Sequence, residues 1–447
     1  MKKLLVFTIS LVALVTVCTF SVFAADGVAR VGDTEYSSLQ EAIDAAGTGD
    51  TVTLLTDLDI VSDLSNAAYG LFNISQDDKI TIDLGTKAIN VTDASSGNFI
   101  VFYNYGEFTI KNGTVNVIST INREWNAQST VLLNRGGTMV IESGTYAHKG
   151  GTAMAFALDN SGNSFGDAYV TINGGTLTST YTAIRMRLAN TELNGEPGNG
   201  LVYLTVNGGT ISGANRGVWG HITDAYVGDL GALDVSGGTI HGGNLAINMD
   251  SDTYSNVDIT ISDNAIIDGN INGDTEDYNI IGGTFTTQIS VDFLNNGFIL
   301  VSNSDGTFSI SVILESIFTF LGYSVNSDFN SITAGYIVDQ ELLALYVKQN
   351  NLTGFDFGCA FGINAISSST YTSFAKYTEY QSFNAKIIGI DKTNENHINA
   401  NLMMALYVDL GNGQGKQFVV GTENGTAIVD AESVPSVTFK SFLPPAA

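Results

Sequence analysis

The sequence predicts an all-β protein: a right-handed parallel β-helix with an N-terminal helical cap, followed by a smaller antiparallel β-sandwich. Three observations carry this. First, a phrase ending in Gly-Thr recurs as ITIDLGT (80–86), FTIKNGT (108–114), MVIESGT (139–145), VTINGGT (170–176), LTVNGGT (204–210), LDVSGGT (233–239) and YNIIGGT (278–284). A degenerate copy, ITISDNA (259–265), falls between the last two, and the steps run from 26 to 34 residues before a final 19. Second, the phrase alternates. Three residues before the glycine (or Asn264) stand Ile82, Ile110, Ile141, Ile172, Val206, Val235, Ile261 and Ile280, and five before it Ile80, Phe108, Met139, Val170, Leu204, Leu233, Ile259 and Tyr278. The residue between is polar except at Val140. A period of two means a strand with one buried face. Third, no helix-length pattern lies between the copies, which disfavours βαβ winding.

The glycine releases the backbone into a turn where positive φ is cheap. Two residues later the chain is apolar again, except at Lys87, so it re-enters the core. Thr86, Thr114, Thr145, Thr176, Thr210, Thr239 and Thr284 are expected to stack as a ladder. Each unit then carries a further strand: NFIVFYNY (98–105), TVLLN (130–134), TAMAFALD (152–159), TAIRMRLA (182–189), RGVWGHIT (216–223) and LAINMDS (245–251). Stacked at the β spacing of about 4.8 Å, such units bury a continuous core.

The ends follow from the same logic. Residues 1–24 read as a secretory signal, with Lys2 and Lys3, an apolar run from Leu4 to Val17, and Val22-Phe23-Ala24 at the cleavage point. The run is too short for a spanning helix; Cys18 raises a lipoprotein alternative, which the bulky Val17 before it disfavours. Residues 25–50 form the expected cap: YSSLQEAIDAAG (36–47) is a short amphipathic helix with Ser38 and Glu41 at capping-box spacing and Gly47 as a stop. An open solenoid end needs such a plug, because an exposed rung invites edge pairing. The β-helix is expected over 51–310, closing in a hairpin at Asn303-Ser304-Asp305-Gly306. Residues 311–447 form the sandwich module, with one helix over 339–350 and strands over 354–364, 381–390, 401–410 and 416–422.

Composition excludes some partners. The net charge is −27, from 18 basic and 45 acidic residues. That surface repels nucleic acid and anionic membranes and disfavours polyanionic substrates unless Ca²⁺ bridges them. Cys359 is the one cysteine left after signal removal, so no intramolecular disulfide forms. The expected location is secreted or cell-surface, with no membrane insertion after cleavage.

VARVGDTEYSSLQEAIDAAGTGDTVTLLTDL (28–58) resembles the cap and first rung of pectate-lyase-like right-handed β-helix proteins exported by anaerobic gut Clostridia. GGTFTTQISVDFLNNGFILVSNSDGTFSI (282–310) resembles their closing rung, and residues 320–364 a module often joined to them. The resemblance implies fold and export, and carries no catalytic residues. A polygalacturonase pattern is not present: Asn190-Thr191 is followed by Glu192, His241-Gly242 stands alone, and Arg-Ile-Lys is absent.

Function is sought where the repeat is silent. Aligning the second strands turns Arg185, Trp219 and Asn248 outward in one column, and Arg187, His221 and Asp250 in the next. The preceding unit then contributes only Ala155 and Ala157, leaving a shelf. An exposed indole stacks on a sugar ring while Arg, His, Asn and Asp bond its hydroxyls. The expectation is therefore a non-enzymatic protein binding carbohydrate or a cell-surface protein along the solenoid flank. The alternatives are a polysaccharide lyase or glycoside hydrolase, with Asp250 orienting His221 as base and Arg187 stabilising developing charge, and a structural spacer. No cofactor is expected beyond Ca²⁺, for which DGNINGDTEDYN (268–279) offers Asp268, Asn270, Asn272, Asp274 and Glu276.

Overall fold

A computed structural model describes residues 27–62, 70–95, 97–120, 128–150, 155–162, 166–189, 200–223, 229–249, 256–325, 331–351, 356–363, 368–373, 380–386, 398–409 and 415–427. The expected signal at 1–24 lies outside them. The backbone divides into two units: the described chain through Tyr278 with Phe285–Ile289, and Asn279–Thr284 with the described chain from Ser290.

The first unit is a parallel β-solenoid of the right-handed type. A full turn carries three strands, as in Glu107–Lys111, Thr114–Ser119 and Ser129–Arg135. Each lies parallel and in register with its counterpart in the next turn. The three inward columns make the core. One runs Val52, Ile82, Ile110, Ile141, Ile172, Val206, Val235, Ile261. The second runs Ile89, Val115, Tyr146, Leu177, Ile211, Ile240, Ile267. The third runs Phe72, Phe102, Leu132, Leu158, Ile184, Val218, Ile247. All are buried, and each large side chain contributes about 1.5–3 kcal/mol.

The threonine ladder forms at Thr114, Thr145, Thr176, Thr210 and Thr239. Thr86 does not join it. Ala88 pairs with Thr114 instead, and Ile89 with Val115. The first turn is two residues longer, closed by Lys87 N–H donating to Leu84 O at 2.8 Å. That displacement accounts for Lys87 as the one polar residue at its phrase position.

The glycine before each threonine has two reasons to be glycine. Gly144, Gly175, Gly209 and Gly238 all have positive φ, from 74° to 104°. A Cβ on Gly175 would also lie 2.8 Å from Gly144 O of the previous turn.

Where the third strand ends, a buried asparagine ladder replaces water. Asn104 Nδ2 donates to Asn134 Oδ1 at 2.7 Å, and Asn134 Nδ2 to Asn160 Oδ1 at 3.0 Å. Their amides also bond the carbonyls of Gly106, Gly137, Tyr169 and Tyr203. Corner carbonyls buried without partners would each cost about 1–3 kcal/mol.

At the N-terminal end, Ser38 Oγ accepts from Glu41 N–H and starts the helix Leu39–Ala45. Leu39, Ala42 and Ile43 are its buried face. Gln40 fastens it to the short strand Phe72–Ile74, donating to Asn73 O and accepting from Asn73 N–H. Ala29–Val31 pairs antiparallel with Thr51–Leu54.

In the second unit, Phe298–Ser302 and Phe308–Val312 form the expected hairpin around positive-φ Gly306. The helix Gln340–Gln349 is capped by Asp339, whose carboxylate accepts from Glu341 and Leu342 N–H. Phe318–Val325, Ser331–Val338 and Tyr380–Lys386 form one antiparallel sheet. Ser368–Ser373, Asp356–Ile363, Ile398–Asp409 and Gly415–Ala427 form another.

Candidate functional sites on the solenoid

The register pairs Arg185 with Trp219 and Arg187 with His221 in adjacent turns, and Trp219 with Asn248 in the next. Asp250 lies outside the described residues. The other side chains gather as expected, but their exposure differs. Arg185 is 1% exposed and Trp219 7%, and Asn248 is buried with them. The indole therefore offers no open platform for a sugar.

The shelf is absent for a specific reason. The strand of the preceding turn begins at Ala155, and Phe156, four residues beyond Thr152, pairs with Thr182. Asp159 and Ser161 therefore stand opposite Arg185 and Arg187, in place of Ala155 and Ala157. The inward match of Leu158 on Ile184 sets this register.

Asp159 binds Arg185 through two contacts: Nε to Oδ1 at 3.0 Å and Nη2 to Oδ2 at 2.6 Å. Gln128 Oε1 also accepts from Arg185 Nη2. The Arg185 guanidinium covers the Phe156 ring at 4.2 Å, and Arg216 covers Trp219 at 4.8 Å. Trp219 and His221 rings meet at 4.4 Å between centroids. Burial would raise the Asp159 carboxyl, but Arg185, then Arg187, hold it below the usual carboxylate range. Burial, followed by the charges of Arg185 and Arg187, pushes His221 down to about 4. At neutral pH the group therefore holds a neutral imidazole and a carboxylate occupied by an arginine. Neither Asp159 nor a cationic His221 is available for acid–base work there.

Asp93, Ser129 and His148 share the residue types of a hydrolase triad but not its arrangement. Ser129 Oγ donates to Asp93 Oδ2 at 2.8 Å, so His148 Nε2, 2.7 Å away, must donate to Ser129. The histidine cannot take a proton already given to the aspartate. All three are buried.

The proposed Ca²⁺ residues do not form a wrapping loop. Asp268, Asn270 and Asn272 lie along the strand Ile266–Asn272, where extended backbone rises about 3.3 Å per residue. Asp268 instead bonds His241 Nδ1 and Thr286 Oγ1, each at 2.7 Å. Asp274 and Glu276 belong to the next turn, around the short helix Thr275–Asp277. Among the described residues, no three His, Cys, Asp or Glu side chains are grouped for a metal.

That turn borders a second candidate site, which sequence reasoning missed. A cleft of about 700 Å³ is lined by Tyr203, Asn256, Asp229, Asp258 and the turn's Asp274, Glu276 and Asp277. Tyr203 stacks on Tyr169 of the preceding turn at 4.7 Å with an interplanar angle of 5°. Tyr169 is 44% exposed, and its hydroxyl donates to Asp167 at 2.9 Å. Both tyrosines occupy the polar-face position just before an apolar residue of the repeated phrase, Val170 or Leu204. A tyrosine on the outward side of two successive units was the available signal.

No protein-family model, no curated protein and no solved structure matches this chain.

Proposed function

We propose that this chain is an exported, non-enzymatic solenoid that binds carbohydrate on its flank, at the Tyr169–Tyr203 cleft. The stacked tyrosine pair beside a carboxylate-lined cleft carries the reading. Aromatic faces pack against the C–H face of a sugar, and carboxylates accept from its hydroxyls. The cleft's negative charge fits a neutral or cationic saccharide and opposes an anionic one. Export through residues 1–24 and a sandwich packing of the two C-terminal sheets belong to the same proposal.

A glycan array probed with the full exported chain tests it. Neutral or amino sugars should be retained, and Tyr203→Ala should weaken them about tenfold or more. Unchanged affinity in a folded Tyr203→Ala variant overturns the site.

One observation favours a second reading, a glycoside hydrolase. Burial raises the Asp277 carboxyl, a Val257 N–H bond opposes this, and Asp274, Asp258 and Glu276 raise it further. A carboxyl raised above its ordinary value beside other carboxyl groups is the kind of pairing that glycosidic cleavage uses. A product assay on any retained glycan, with Asp277→Asn as control, separates the readings.

A further inference from the structure

One outward column holds more hydrogen-bond donors than the protein satisfies. Arg135, Ser161, Arg187 and His221 stand in register on four consecutive turns, about 4.8 Å apart. Arg135 Nη1 donates to Tyr103 Oη at 2.8 Å. Arg187 Nη2 reaches Asp159 only at 3.5 Å, because Arg185 already takes both carboxylate oxygens. Among the described residues, three buried polar atoms in the column have no partner: Arg135 Nε, Ser161 Oγ and Arg187 Nε. Arg187 nevertheless remains 17% exposed, and Arg135 and His221 are half-buried, so solvent reaches these three side chains, while Ser161 lies fully buried between them.

The charges do not balance locally either. Arg30, Arg123, Arg135, Arg185, Arg187 and Arg216 are the chain's arginines. Four of them gather here, and Asp159 is their one ion-pair partner among the described residues. A chain of net charge −27 has acidic residues to spare for neutralising them. Burying guanidinium donors without acceptors is costly unless a ligand completes them.

We infer that Arg135, Ser161, Arg187 and His221 form a binding site for a tetrahedral oxyanion, a phosphate or sulfate ester. Donors from successive turns need acceptor oxygens pointing in several directions. A tetrahedral anion presents three free oxygens to them, and a carboxylate two. Guanidinium groups suit such anions because their planar forks donate in pairs. Burial pulls Arg187 down to about 10, Asp159 opposes this and Arg185 and Arg135 add to it, and an anion's charge would offset the pull. The column shares no residue with the Tyr203 cleft and does not depend on it.

Titration calorimetry on the full exported chain at neutral pH tests the site. The probes are inorganic phosphate, inorganic sulfate and acetate, each against chloride at matched ionic strength. Saturable binding of phosphate or sulfate, tighter than acetate, is expected. Arg187→Gln should weaken it about tenfold or more, while Lys79→Gln, at the exposed Lys79–Glu107 surface pair outside the column, leaves it unchanged. Phenyl phosphate and phenyl sulfate then identify the ester by which binds tighter. Absence of saturable binding for both anions overturns the inference. So does acetate binding as tightly, or unchanged affinity in folded Arg187→Gln. Should Arg187→Gln fail to fold, the wild-type melting temperature decides: a rise that saturates with phosphate or sulfate concentration supports the site, and no rise, or one that grows without saturation as general salt exclusion gives, removes it.

Discussion

Arg185 and Asp159 form a two-point ion pair across adjacent turns of the solenoid, with side chains 1% and 0% exposed. The pair sits on the outer side of its strands, a position the sequence pattern assigns to solvent. Its energetics follow from burial: both charges are desolvated, so each depends on the other.

Asp159→Asn should therefore destabilise the first unit by about 3–5 kcal/mol, since it leaves a buried guanidinium uncompensated. Replacing both residues, as Asp159→Leu with Arg185→Met, should recover part of that loss, the remainder being the carboxylate that Arg187 also loses. Urea denaturation of the three proteins checks this, and equal stability of Asp159→Asn and wild type would refute it.

Asn134→Ala removes donors to Asn160 Oδ1, Gly137 O and Tyr169 O and the acceptor for Asn104. A loss of about 3 kcal/mol is expected. Asn116→Ala removes an amide bond to Asn90 on the solenoid surface, part-buried, and should cost less than about 1 kcal/mol. Thermal melts of the two variants give the comparison.

His221 supplies a pH dependence with a definite sign. Its folded value of about 4 lies below the ordinary histidine value of 6.5, so the unfolded chain binds more protons between them. Stability from this residue is present above pH 6.5 and is lost as pH falls toward 4. His221→Gln should flatten the stability–pH curve in that window, and a proton NMR titration should place the imidazole near 4. A midpoint near 6.5 would mean that the ring is solvated.

Gly175→Ala should cost at least about 1 kcal/mol. Its φ is +87°, and the added methyl group meets Gly144 O. Gly85→Ala also carries a positive φ but meets no atom within 4 Å, so the difference between the two isolates the stacking clash.

Much of the fold was legible in the sequence. The strand half of the phrase places Ile and Val in one inward column, and its Gly-Thr half places the turn and ladder. Thr86 failed because a repeat read by its letters cannot register two extra residues in a turn. The Asp159 register failed similarly: TAMAFALD and TAIRMRLA align by letter at Thr152 and Thr182, but their inward residues match four positions later. Asn104, Asn134 and Asn160 were visible at or just past the ends of the further strands read in the sequence, although nothing local marked them as buried.

The sequence by itself determined the period, the strand alternation, the capping helix and the outward columns, because these follow from neighbours along the chain. Only the tertiary structure decided which outward residues are solvated. Arg185 and Trp219 are buried, while Tyr169 keeps an open ring on another flank. Alternation tells which side of a strand a residue takes. What covers that side, and which charge from the next turn meets it, depends on stacking between residues about thirty positions apart.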